Sequence, residues 1–147
     1  MIAGSGCSKA VMRTNKPILL VEDDEIDVMT VKRALRDLNV SNPLAVATNG
    51  EEALALLRNS KSFKPAIILL DLNMPRMSGL EFLRELRSDD ALRDSVVFVF
   101  TTSNAEEDKA AAYALNVAGY MLKTDGTEQF SKRLEMITQY IDICELP

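Results

Sequence analysis

The residues able to do chemistry in this chain sit at the ends of short apolar runs. Asp71 closes Ile67-Ile68-Leu69-Leu70, and Glu22-Asp23-Asp24 close Ile18-Leu19-Leu20-Val21. Thr101 follows Val96-Val97-Phe98-Val99-Phe100, and Lys123 follows Ala118-Gly119-Tyr120-Met121-Leu122. A carboxylate is costly to bury alone, so each acid is expected to emerge where its run leaves the core. Gathered at one rim, carboxylates ~4 Å apart repel by roughly 1 kcal/mol in water and ~4 kcal/mol at an effective dielectric near 20, a strain that a hard divalent cation relieves. An acid cluster, a separate Asp, a hydroxyl and a lysine suit an aspartyl phosphate. Asp71 would be the nucleophile, a cation and Lys123 would hold phosphoryl oxygens, and Thr101 would bond one of them.

Composition narrows the chemistry further. The chain has no histidine, which removes Ser-His-Asp and Cys-His catalysis and His-ligated zinc or haem, and any phosphohistidine of its own. A metal must therefore sit on oxygens, which suits Mg²⁺, Mn²⁺ or Ca²⁺. With 17 basic and 22 acidic residues the net charge is −5, against general affinity for nucleic acid or anionic lipid. No apolar run approaches the ~20 residues that span a bilayer, and the N-terminus has no signal-peptide core, so the cytoplasm is the expected location. Cys7 and Cys144 lack metal-ligand spacing and read as free thiols, Cys144 partly packed on a helix, with a disulfide between them as the alternative.

The elements that must position these residues alternate. Residues 1–16 are small and polar and read as a loose arm, leaving one domain over 17–147. After the first strand, Ile26, Val28, Met29, Val31, Ala34, Leu35 and Leu38 recur at helical spacing, and a helix from Glu25 ends near Asn39. Leu44-Ala45-Val46-Ala47 is a second strand, and Asn49-Gly50-Glu51-Glu52 opens a helix that runs to Asn59. Past the Asp71 strand, Met74-Pro75 turns the chain, Gly79 supplies backbone freedom, and Leu80, Phe82, Leu83 and Leu86 mark a third helix. Ser103-Asn104 is expected to cap a fourth helix with Glu106, Glu107 and Asp108 in its first turn, and the last helix spans Thr127 to Ile143. Five strands alternating with five helices predict an α/β fold, a doubly wound (βα)5 parallel sheet of flavodoxin-like order 2-1-3-4-5. In that order the first and third strands are neighbours at the point where the winding reverses, which brings Glu22, Asp23 and by the same placement Asp24 beside Asp71.

Each residue also has a plain structural explanation. The three acids suit the first turn of a helix, Thr101 suits a helix N-cap, Lys123 a solvated lysine and Tyr120 a half-buried aromatic. What favours the joint reading is that the acids, Thr101 and Lys123 all fall at the C-terminal ends of successive strands.

In these residues the chain resembles the receiver domain of two-component response regulators over about 17–143. Glu22-Asp23 looks like the family's acidic pair, Asp71 like the phosphoacceptor, Thr101 like the switch hydroxyl, Tyr120 like the switch aromatic and Lys123 like the invariant lysine, and Asp71-Leu72-Asn73-Met74-Pro75 through Gly79 is a specific signature. The resemblance implies Mg²⁺ (or Mn²⁺) held by Asp23, Asp71 and the carbonyl of Asn73, with Glu22 acting through water. It implies a histidine kinase as phosphodonor, slow self-dephosphorylation and no separate substrate turnover. The stretch from Arg87 to Ser95, with Thr101-Thr102-Ser103, is similar to single-domain regulators associated with bacterial and cyanobacterial phytochromes, which implies a photoreceptor kinase as partner and a homodimer. Two positions depart from the family pattern: Thr124 stands where most members carry proline after a cis peptide, and Glu22 where Asp is frequent.

A switch is expected in which Thr101 moves to the phosphoryl oxygen and Tyr120 turns into the vacated space, altering the surface of the fourth helix, fifth strand and last helix. Apolar Tyr140, Ile141, Ile143 and Cys144 on the last helix suit either a dimer interface or packing on the fifth strand. Output is expected through protein contact or phosphate relay, with no DNA-binding domain after residue 147. The competing readings are a Mg-dependent phosphatase with an Asp nucleophile, against which Asn73 stands where an acid is expected; a flavin binder, whose phosphate the acids would repel; and an adaptor that works without phosphorylation.

Overall fold

The computed structural model describes residues 15–59, 62–144 and 147. The strands are β1 (Ile18–Val21), β2 (Leu44–Ala47), β3 (Ile67–Leu70), β4 (Val97–Thr101) and β5 (Gly119–Leu122). The helices are α1 (Glu25–Asp37), α2 (Gly50–Asn59), α3 (Gly79–Ser88), α4 (Glu106–Ala114) and α5 (Thr127–Ile143), with one 3₁₀ turn at Lys123–Asp125. All pairings are parallel, in the order β2-β1-β3-β4-β5. Parallel strands need crossover connections, and the α1 to α4 helices supply them.

The apolar runs lack polar alternation because both faces of the sheet are covered. Leu19, Val21, Ile68, Leu70, Val97 and Val99 face one layer with Leu54, Leu57, Phe82, Leu83, Leu86 and Ala112, drawn from α2, α3 and α4. Ile18, Leu20, Ile67, Leu69, Phe98 and Phe100 face the other with Val31, Leu35, Phe130, Leu134, Ile137 and Ile141, drawn from α1 and α5. Each of these side chains other than Ala112 contributes about 1.5–3 kcal/mol by leaving water. Successive residues of one strand therefore stabilise opposite layers, and a one-residue slip would exchange the side chains on which the two layers pack.

Three local expectations change. Gly79 has no positive φ; it is required because a Cβ there would lie 2.4 Å from the Asp71 carbonyl oxygen and 2.6 Å from Leu72 Cα. Ser78 caps α3, accepting from Glu81 N while Glu81 reaches back to Ser78 N. The N-cap of α4 is Ala105, with no side-chain cap, because Ser103 is drawn to Asp108 instead. Cys144 is exposed at the end of α5 rather than packed, while Cys7 and all of the expected arm except Asn15 and Lys16 lie outside the described residues. Among the described residues no helix is long and apolar enough to cross a membrane.

Candidate functional site

Sheet register assembles the site. Val21 pairs with Leu70, so the residues that follow, Glu22 and Asp71, leave the sheet side by side, with Asp71 N donating to Val21 O at 3.0 Å. Thr101 pairs with Leu122, which places Lys123 just beyond the end of β4. Asp71 is 4% exposed, Glu22 1% and Thr101 0%, whereas Asp23 is open to solvent. Carboxylate oxygens of Glu22, Asp23 and Asp71 all lie within 4.8 Å of one another. An all-oxygen group of this kind fits a hard divalent cation.

Asp24 does not join them. Its Oδ1 accepts from Ile26 N at 2.8 Å and Asp27 N at 3.3 Å, making it the N-cap of α1. The acid that takes its place near the site is Asp27, one turn further on.

Lys123 Nζ lies 2.6 Å from Glu22 Oε1, 2.7 Å from Asp27 Oδ2 and 3.4 Å from Asp71 Oδ2, with the Phe100 ring centroid 5.4 Å away. Burial would lower the Lys123 pKa, but its hydrogen bonds to Asp27 and Glu22 and the Asp71 charge outweigh it, and the ammonium is held above its ordinary value. Burial acts the other way on Glu22: with repulsion from Asp71 it outweighs the Lys123 bond and lifts the carboxyl to about 7. The Lys123–Thr124 peptide is trans, since no cis bond occurs among the described residues.

The loop after Asp71 folds back on it, Asn73 N donating to Asp71 Oδ1 at 3.2 Å while Asn73 Nδ2 donates to Thr102 Oγ1 at 3.2 Å. Beyond Thr101, Ser103 is a junction. Its N donates to Thr101 Oγ1 at 3.3 Å, its Oγ donates to Asp108 Oδ2 at 2.6 Å, and its carbonyl accepts from Tyr120 OH at 2.9 Å. Tyr120 is half-buried, its phenol pKa raised mainly by burial, and its ring centroid is 6.5 Å from that of Tyr113.

Residues 18–135 match the response regulator receiver domain. The chain belongs to that family. The receiver is 33% identical to the response regulator Rcp1 of Synechocystis sp. over 129 residues, covering 85% of this chain and 88% of Rcp1. The Mn²⁺-bound form of Rcp1 superposes with a TM-score of 0.80 over 90% of this chain and 99% of that one. A phosphorylated cyanobacterial phytochrome response regulator, RcpA, is 33% identical with a TM-score of 0.82, covering 91% of this chain and 99% of its own. The bacteriophytochrome response regulator AtBRR is 34% identical with a TM-score of 0.70, covering 89% and 96%.

The receiver thus brings Glu22, Asp23, Asp71 and Lys123 together at one rim, with Asn73 bonded to Asp71, and links Thr101 to Tyr120 through Ser103. The sequence reading missed Asp27 and Ser103. Asp27 had a usable signal, as an acid in the first turn of the helix that follows the acidic run at the end of β1. Ser103 had none, because its hydroxyl read equally well as a cap.

Proposed function

We propose that this receiver accepts a phosphoryl group on Asp71 from the phosphohistidine of a histidine kinase. The observation that carries the reading is a nearly buried carboxylate with the Lys123 ammonium 3.4 Å away on one side and two further acids within 4.8 Å on the other. An Asp71 oxygen attacks phosphorus, the P–O bond forms as the P–N bond breaks, and the electron pair stays on the imidazole nitrogen of the kinase. Lys123 donates to one phosphoryl oxygen and Thr101 to another. Glu22, Asp23, Asp71 and the carbonyl of Asn73 are the residues that would hold Mg²⁺ or Mn²⁺, which when bound neutralises charge developing on the transferred group. Slow hydrolysis of the same bond resets the protein, without turnover of a separate substrate.

Phosphorylation then acts through Thr101. When its hydroxyl turns to the phosphoryl group, the bond from Ser103 N is lost, and with it the fixed position of the carbonyl that holds Tyr120. The surface of α4, β5 and α5 changes for a partner protein or a relay step. Met136 and Ile143, 59% and 79% exposed on α5, support a homodimer through that side. RcpA and AtBRR, both phytochrome response regulators, support a phytochrome-type photoreceptor kinase as donor, in the cytoplasm.

Acetyl phosphate with Mg²⁺ should produce a single retarded band on a phosphate-affinity gel. Asp71→Asn should abolish it with the fold intact. A band retained in Asp71→Asn would contradict the assignment.

A further inference from the structure

We infer that Asp27 is a positioning residue for Lys123, holding the ammonium beside Asp71 so that its third N–H is left for the phosphoryl group that Asp71 carries. The inference rests on the proposed phosphorylation and deepens it. An ammonium has three N–H donors. Two are spent, on Glu22 Oε1 at 2.6 Å and Asp27 Oδ2 at 2.7 Å, and Asp71 Oδ2 at 3.4 Å is the remaining acceptor in reach.

The two anchors are not equivalent. Glu22 belongs to the carboxylate triad with Asp23 and Asp71, so a cation there competes with Lys123 for its oxygens. Asp27 stands outside the triad. It is the anchor that stays available when Glu22 is drawn away. Its own backbone is fixed, because Asp27 N donates to the Asp24 side chain that caps α1. Its side chain is 29% exposed, so holding a charge there costs little desolvation.

The sign of the effect separates this role from a general field effect. Asp27 is one more negative charge beside a site that must receive an anion, and by charge alone its removal strengthens anion binding. As an anchor for Lys123 its removal weakens it. The probe is beryllofluoride, an inorganic phosphoryl mimic, titrated with Mg²⁺ by calorimetry into the full chain. Asp27→Ala, a substitution the helix tolerates, should weaken binding about tenfold, as expected for losing one charge-assisted hydrogen bond. Asp27→Glu should restore most of it. In a Lys123→Gln background Asp27→Ala should no longer weaken binding, because the anchored group is gone and only the charge effect, which acts in the opposite direction, remains.

A second readout needs no cation. Acetic anhydride labelling of Lys123 in metal-free protein, read by mass spectrometry, should rise several-fold in Asp27→Ala. Unchanged or tighter beryllofluoride binding in Asp27→Ala, an equal loss in the Lys123→Gln background, or unchanged labelling would each overturn the inference. Failure of the wild-type chain to bind beryllofluoride counts against the phosphorylation reading, and labelling then decides the role of Asp27 alone.

Discussion

Glu22→Gln should remove most of the pH dependence of stability between about pH 4.5 and pH 7. The Glu22 side chain is 1% exposed, and its pKa stands at about 7 against an ordinary 4.5, chiefly through burial. A folded-state pKa raised in this way means that the folded chain keeps a proton the unfolded chain has released. The contribution is fully present below pH 4.5 and is lost as the pH rises through 7. At ~1.4 kcal/mol per pH unit, the interval from 4.5 to 7 makes that loss about 3 kcal/mol in metal-free protein. The Lys123 shift is also upward, from 10.5, and so lies at alkaline pH outside this window. Gln keeps an oxygen that can accept from Lys123 and has no proton to lose. Urea unfolding of both proteins in chelator, followed by circular dichroism across this range, reads the difference directly. The advantage of wild type over Glu22→Gln should shrink by about 3 kcal/mol from acid to neutral pH, and Mg²⁺ affinity of the wild type should rise over the same interval as the carboxyl ionises. Parallel stability profiles would refute the reasoning, because they would mean that burial does not hold this proton.

Gly79→Ala should destabilise the fold by about 1–3 kcal/mol and slow phosphorylation. The new Cβ meets two backbone atoms at 2.4 and 2.6 Å, one of them the Asp71 carbonyl oxygen, and neither can swing aside. An unchanged melting temperature would show that the β3–α3 loop yields more easily than its contacts indicate. Arg87→Gln should cost about 2–4 kcal/mol in urea unfolding, since the guanidinium donates to the carbonyls of Leu115 and Asn116 after α4 and of Arg93 and Ser95 before β4. Arg87→Lys should recover only part, because an ammonium cannot span four acceptors in the planar fork that arginine offers.

The strands and their order were legible because the apolar runs of β1, β3, β4 and β5 each stop at a polar or charged residue, and alternation with amphipathic helices leaves few topologies. The same logic placed Glu22, Asp71, Thr101 and Lys123 at one edge. It could not divide the acids, because a carboxylate just before a helix serves equally well as a cap or as part of a site, and Asp24 takes the first role while Asp23 takes the second. Gly79 was visible as a glycine but not for its reason, which is a close approach across the loop rather than a backbone angle. The Asp27–Lys123 pair joins residues 96 apart, and Arg87 binds carbonyls up to 29 residues away. Such contacts depend on side-chain direction in the folded chain, which local patterning does not carry.

The most direct measurement is chemical location of the phosphoryl group. Protein phosphorylated with acetyl phosphate and Mg²⁺, reduced with borohydride and mapped by peptide mass spectrometry, should carry homoserine at position 71 and unreduced carboxylates at every other acidic position of the rim. Homoserine at 23, 24 or 27, or none at all from protein shown to hold phosphate, would contradict the account.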